Sequence, residues 1–178
     1  MWHQTFQAPE LPALLERQGL RILPGLNAVT GDEGTGKTRL LRELAAHTPG
    51  ALWLDLRLPE HDPDTPLHIW SALQARHPHW QPDWQVALAE ALGLQEHLGK
   101  SLSMLSTGSR RKVGLVALLA SGAPLTCIDQ PYASLDMASV RVLREFLQDM
   151  AEHPSRAWVV ADYEADAELP WRSVVHCA

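Results

Sequence analysis

Eight consecutive residues carry the densest chemistry in this chain: Gly31-Asp32-Glu33-Gly34-Thr35-Gly36-Lys37-Thr38. A glycine, four unrestricted positions and then Gly-Lys-Thr is a spacing that cradles phosphate groups. Gly31, Gly34 and Gly36 permit the tight turns in which successive backbone N–H groups point at phosphate oxygens. A helix starting near Lys37 adds unpaired N–H groups and the positive end of its dipole. Lys37 is then expected to reach the β- and γ-phosphates of a nucleotide and the Thr38 hydroxyl to ligate Mg²⁺, with Thr35 and Arg39 completing the set. The plain alternative is a glycine-rich turn that fits the pattern by accident.

A second chemical position is Asp129, which ends the apolar run Pro124-Leu125-Thr126-Cys127-Ile128. A carboxylate ending the strand that neighbours the loop's own strand can hold the Mg²⁺ water shell next to Thr38. Alone this is a common feature; combined with the loop it is informative.

The elements around these residues suit the task. Arg21–Leu23 and Leu26–Val29 read as strand before the loop, and Arg39–Ala46 reads as helix after it. Ala51–Leu56 is a second strand candidate, followed by an exposed loop at Pro59–Asp64. Leu67–Arg76 and Asp83–Leu92 are helix-like, with Asp83 a candidate N-cap and Gly93 a stop. Next come a turn at Ser106–Ser109, a helix over Arg110–Ala120, the Asp129 strand and a helix over Val140–Glu152. Two strands, Ala157–Ala161 and Ser173–Cys177, close the chain. Strands alternating with helices predict an α/β fold with a mostly parallel sheet covered on both faces.

The 178 residues form one domain on this reading, large enough for a proper core. A net charge of −6 argues against a nucleic-acid surface. Cys127 and Cys177 fit no metal or disulfide spacing and read as buried or free thiols in a reducing cytoplasm. No basic segment precedes an apolar core at the N-terminus, so no signal peptide is expected. The longest apolar stretch, Val113 to Leu125, is too broken to span a bilayer.

Two further segments carry a family resemblance. Leu105-Ser106-Thr107-Gly108-Ser109-Arg110-Arg111-Lys112 resembles the signature of the ATP-binding cassette ATPases, and Asp129-Gln130-Pro131-Tyr132-Ala133-Ser134-Leu135-Asp136 is similar to that family's run from the Mg²⁺ aspartate to the Ser-Leu-Asp loop. The likeness covers roughly 25–161, and among subfamilies the size and the Asp129 segment resemble the haem-exporter ATPase subunits of cytochrome c maturation. It implies a P-loop NTPase fold with a helical arm, about 60–108, inserted between the second strand and the signature. It also implies ATP and Mg²⁺ as ligands, and a head-to-tail dimer in which Ser106 and Gly108 of one subunit close over the phosphate loop of another. That second subunit is identical or different. Ser106 can equally be a plain helix cap, and the two roles are compatible. A membrane permease is the implied partner, which would make a cytoplasmic protein peripheral to the inner membrane. A soluble, nucleotide-gated dimer with little or no ATPase activity is the alternative.

Three departures from the family bear on mechanism. Gln130 stands where the family has a glutamate; a carboxamide can hydrogen-bond water but accepts no proton at neutral pH. A general base is worth about 10²–10⁴ in rate, so hydrolysis is expected to be slow. Asp162, or Tyr163 in a register shifted by one, takes the place of the switch histidine, and His153 and His176 lie too far along the chain to substitute. Arg57 replaces a glutamine and can pair with phosphate or with nearby Asp55 or Glu60. Phe6 or Trp2 is the candidate for stacking on adenine, or for the core. His61, His68, His77 and His79 read as surface residues of the arm. Trp70, Trp80 and Trp84 are expected to pack it, unless an exposed subset meets a partner.

Overall fold

The computed structural model describes residues 21–178, together with the backbone of the short antiparallel pair β1 (Glu16–Arg17) and β2 (Leu20–Arg21). Two compact units emerge, one of Met1–Trp53, Ala123–Pro131 and Leu143–Ala178, the other of Leu54–Gly122 and Tyr132–Val142.

The first unit holds a five-stranded sheet in the order β4-β5-β6-β3-β7, all parallel. Its strands are β3 (Gly25–Thr30), β4 (Leu52–Trp53), β5 (Leu125–Asp129), β6 (Ala157–Asp162) and β7 (Ser173–His176). Side chains alternate along each strand. Val29, Leu125, Cys127, Ala157, Val159 and Ala161 therefore share the face that packs on Leu40, Leu41 and Leu44 of helix α1 (Lys37–His47). A second layer comes from Leu143, Phe146, Leu147 and Met150, the later turns of α5 (Met137–Met150), all buried. There Phe146 meets Trp158 edge to face, with ring centroids 6.5 Å apart. Coverage of both faces explains why β3, β5 and β6 are buried at nearly every position, the polar Asn27 and Thr126 included.

The strand ends are in register: Thr30 lies opposite both Asp162 and His176, and Asp129 opposite Ala161. Three expectations need correction. The strand carrying Asp129 is not the neighbour of the loop strand, because β6 lies between them. The Ala51–Leu56 strand is reduced to Leu52–Trp53, since Asp55 and Arg57 fold into a local ion pair just beyond. The sequence also placed His176 too far away: parallel pairing brings its Nδ1 to 3.3 Å from Thr30 Oγ1.

The second unit is helical: α2 (Pro66–Gln74), α3 (Pro82–Ala91) and α4 (Thr107–Ala120). Proline at the first position starts both α2 and α3, where its missing N–H costs nothing. Gln81 is thus the N-cap of α3, and the expected cap Asp83 sits inside the first turn instead. Gly93, at φ 70°, ends α3 as expected, and Leu94 N–H closes on Ala89 O at 2.9 Å. Trp70, Trp80 and Trp84 are all buried, so none is left for a partner. Trp70 Nε1–H donates to Val113 O of α4 at 3.1 Å. Among the described residues no helix is long and apolar enough to cross a membrane.

Candidate functional site

The loop after β3 owes its path to three glycines with positive φ, needed for two different reasons. At Gly31 (φ 145°) a Cβ would sit 2.4 Å from the Cys177 carbonyl oxygen, so the backbone past β7 touches the loop's first residue. Gly34 (81°) and Gly36 (89°) lie in the left-handed region with nothing within 4 Å of where a Cβ would be, so conformation selects glycine and the space beside them stays open. Gly36 is the N-cap of α1 and brings no side-chain acceptor to the helix's first N–H groups. Those donors suit an anion. Thr35 Oγ1–H donates to Asp32 O at 2.8 Å and holds the turn.

Lys37 is 7% exposed, and its ammonium donates to the carbonyls of Gly31 and Asp32, both at 2.6 Å. No carboxylate neutralises it through these contacts, so its charge stays available to a phosphate. The ring of Tyr163 lies 5.2 Å from the same nitrogen. Thr38 Oγ1–H donates to Asp129 Oδ2 at 2.6 Å. Helix α1 packs on β5 as well as β6, which is how Thr38 reaches past the intervening strand. Two hard oxygen donors in contact fit an oxygen-loving cation such as Mg²⁺.

Beside them, Gln130 adopts φ 45° and donates its backbone N–H to Ala161 O at 2.7 Å. Left-handed backbone is uncommon for a residue with a side chain and persists where neighbours enforce it. Asp162 turns one carboxylate oxygen to its own backbone: Oδ1 accepts the N–H of Tyr163 at 2.8 Å. The Tyr163 carbonyl in turn accepts Gly31 N–H at 3.3 Å. Arg39 pairs with Glu43 one turn along α1 at 2.9 Å, its side chain 82% exposed. Phe6 and Trp2 lie outside the described residues.

Ser106 and Gly108 belong to the helical unit. Ser106 Oγ accepts Ser109 N–H at 3.1 Å, the N-cap of α4, which begins at Thr107 and not at Arg110. Gly108 has a packing reason as well: a Cβ there would lie 2.6 Å from Ser134 O. Ser134 itself has φ 62°. Lys112 Nζ donates to Asp136 Oδ2 at 2.7 Å, and Asp136 caps α5 through Ser139 N–H at 2.9 Å. The Lys112 ammonium, with the Ser139 bonds, holds the Asp136 carboxyl well below the usual carboxylate range. The signature helix and the Ser-Leu-Asp loop are therefore one bonded assembly.

Arg110 was not singled out in the sequence, yet it organises the segment after β4. Its guanidinium donates to Leu56 O, to Leu58 O at 2.9 Å and to Asp62 Oδ1 at 2.6 Å. Arg57 takes Asp55, Nε to Oδ1 at 2.8 Å and NH2 to Oδ2 at 2.9 Å, and so holds the Asp55 carboxyl low. His61 and His68 both lean on Asp64, at 3.3 and 2.9 Å. His77 is buried, which pushes its pKa down. Among the described residues no group of three or more His, Cys, Asp or Glu has metal-holding geometry.

No family model matches the chain. It is 31% identical over 161 residues to cytochrome c biogenesis ATP-binding export protein CcmA of Rhodobacter capsulatus, covering 74% of this chain and 69% of that one. CcmA of Paramagnetospirillum magneticum is 29% identical, with 99% and 95% covered. For CcmA of Xylella fastidiosa identity is 31%, with 67% and 63% covered, so the chain spans just under two thirds of that relative's length. The fold matches an ABC transporter ATP-binding protein of Pyrococcus furiosus with a TM-score of 0.70 at 18% identity, covering 97% and 92%. A bacterial ABC transporter cassette, solved as a dimer, gives 0.65 at 15%, covering 87% and 85%. The phosphate loop, the capped signature helix and these relatives agree: the chain belongs to the ATP-binding cassette family of nucleotide-binding domains, among the relatives of the cytochrome c biogenesis ATP-binding export protein.

Proposed function

We propose that this chain is an ATP-binding subunit that holds Mg-ATP on the Gly31–Thr38 loop, pairs head to tail with a second subunit, and hydrolyses slowly. One observation carries the nucleotide reading: a buried lysine ammonium resting on two loop carbonyls, with Thr38 hydrogen-bonded to the Asp129 carboxylate close by. Carbonyl partners can be exchanged for phosphate oxygens at little electrostatic cost, whereas a carboxylate partner would have to be displaced by another anion.

The chain's residues divide the work. Gly31, Gly34, Thr35 and Gly36 present backbone N–H groups to the phosphates, and Arg39 stands at the rim of the same helix turn. Lys37 neutralises the outer phosphates, which lowers the charge an attacking water must approach. Thr38 and Asp129 hold Mg²⁺; bound there, the ion would neutralise charge developing on the phosphate oxygens. Gln130 orients water through its amide but takes no proton from it, which leaves catalysis to positioning and charge. Ser106 and Gly108, at the start of α4, are offered to the nucleotide of the second subunit.

The relatives' names support an export role, with a membrane permease as the moving partner and a position at the inner membrane through it. The whole is a single nucleotide-binding domain whose helical subdomain covers about 60–108. A second reading, a soluble nucleotide-gated dimer without useful turnover, is favoured by one residue, Gln130. Isothermal titration with Mg-ATP tests the primary reading: the wild type should bind, and Lys37→Ala should lose tenfold or more. Equal affinity in the two proteins would defeat it.

A further inference from the structure

Sulfur is the element of a folded chain most open to oxidation, and here it is unevenly placed. Of the four methionines, Met150 is 3% exposed and Met1 lies outside the described residues, whereas Met104 is 69% and Met137 68% exposed. The cysteines are better covered. Cys127 is fully buried, which pushes its thiol up to about 12, and Cys177 is half-buried where it packs on the sheet core. Met104 and Met137 are therefore the most exposed sulfur-bearing side chains among the described residues. Both stand at one corner of the helical unit. Met104 ends the short turn Leu102–Met104, two residues before Ser106, the N-cap of α4. Met137 is the first residue of α5, next to Asp136, which accepts from Lys112 of α4 at 2.7 Å and from Ser139 N–H at 2.9 Å. The close approach of Gly108 to Ser134 O ties the same two segments together. Each segment of this braced, polar corner thus carries one flexible apolar side chain left largely in water, which suits contact with another surface.

We propose that Met104 and Met137 are oxidation sites through which a peroxide switches off nucleotide-dependent pairing, and that a dithiol-dependent sulfoxide reductase switches it back on. This rests on the head-to-tail reading above and goes beyond it: in the pair, each thioether is covered by the second subunit. In the forward step a sulfur lone pair attacks the peroxide, an S–O bond forms and the O–O bond breaks. The second oxygen leaves as water, sulfur having lost the two electrons that the peroxide gains. In the reverse step two thiols supply two electrons and become a disulfide, and the sulfoxide oxygen leaves as water. A thioether passes readily from water into an apolar contact. A sulfoxide oxygen is a hydrogen-bond acceptor that must first be desolvated. The phosphate loop, Gly31–Thr38, contains no sulfur, so oxidation removes the pairing and leaves the loop's grip on nucleotide alone.

The test treats the full chain, free of nucleotide, with hydrogen peroxide that catalase then removes. Peptide mass spectrometry should find one added oxygen on each of Met104 and Met137, and Mg-ATP present during treatment should protect both. In size-exclusion chromatography with Mg-ATP, the dimer dissociation constant should rise about tenfold or more, as expected for desolvating an unpaired acceptor. Affinity for a fluorescent ATP analogue, read on the dilute monomer, should change less than twofold. Methionine sulfoxide reductases with dithiothreitol should restore the dimer, and dithiothreitol alone should not. Met104→Leu/Met137→Leu keeps the apolar contact without an oxidisable sulfur, so its dimer constant should be the same with and without peroxide. Both sulfoxides formed and the wild-type dimer unchanged would overturn the proposal and leave two ordinary surface methionines. An equal peroxide effect in the double variant would place the target elsewhere, at Cys177 or Met1, and overturn it too. A wild type that binds Mg-ATP yet never pairs before peroxide is added would defeat the head-to-tail reading, and this proposal with it.

Discussion

Gln130 holds a position where backbone geometry is enforced and side-chain chemistry is withheld. Its φ of 45° is maintained by the N–H bond to Ala161 O, so the carboxamide is presented from a fixed point at the end of β5. A glutamate there would have nearly the same shape, with a proton-accepting oxygen in place of NH₂. Gln130→Glu should therefore raise ATPase turnover by about 10²–10⁴, the range that a general base is worth at about 1.4 kcal/mol per decade. Steady-state phosphate release from wild type and variant decides it; equal rates would mean that proton transfer does not limit the step. At this scale the sequence was informative wherever local spacing defines the chemistry. The spacing of the loop puts Lys37 on the carbonyls of Gly31 and Asp32, six and five residues before it. The sequence was uninformative wherever the partner is remote. Nothing near Arg110 announces that its guanidinium gathers Leu56, Leu58 and Asp62, and nothing near Gly31 announces the Cys177 carbonyl.

Elements show the same division. Period and capping residues located α1, α3 and β6 within a few positions, because those signals are local. The α3 start was missed by reading Asp83 as a cap, when Pro82 at the first helical position was the stronger signal. The order of strands, with β6 between β3 and β5, is decided by packing on both faces of the sheet and leaves no trace in any single segment. The turn from α5 to β6 offers an element-scale test. His153 Nδ1 accepts N–H bonds from Ser155 (3.3 Å) and Arg156 (3.0 Å), and its ring meets Trp158 edge-on at 5.5 Å. Burial first, then the Arg156 charge, pushes its pKa down to about 4 from an ordinary value of 6.5. Because the folded value is the lower one, the unfolded chain binds more protons between those limits, so stability is full above about pH 6.5 and falls as pH drops toward 4. The ring is only half-buried, and solvent screening reduces the loss to about 1–2 kcal/mol. Urea midpoints at pH 7.5 and 4.5 should differ more for the wild type than for His153→Asn, whose amide oxygen can accept the same N–H bonds without titrating. Parallel pH dependences would show that His153 is protonated in the fold at no cost.

For the whole molecule, the decisive feature is that the phosphate loop and the signature corner belong to different units of one chain, each braced within its own unit. The loop is braced by Thr35, Lys37 and the Cys177 backbone. The corner is braced by Ser106, Ser134 and the Lys112–Asp136 pair. Under the proposed head-to-tail pairing, each nucleotide takes the loop of one subunit and the corner of the other. Lys37→Ala destroys a loop and spares the corner. Ser106→Arg places a bulky cation on the corner, an exposed position, and spares the loop. A dimer of either variant alone would have two defective sites, so neither should dimerise on Mg-ATP in size-exclusion chromatography. Mixed in equal amounts, they can form a heterodimer in which one site combines both lesions and the other combines the intact loop of Ser106→Arg with the intact corner of Lys37→Ala. The mixture should therefore recover nucleotide-dependent dimer that neither variant gives alone, trapping about one ATP per dimer where the wild type traps two. Recovery by mixing is a consequence of shared sites and of nothing simpler: a subunit that closes its own corner over its own loop would gain nothing from a second defective copy. A mixture as inert as its components, beside a wild type that does dimerise, would rule out the head-to-tail arrangement while leaving nucleotide binding intact.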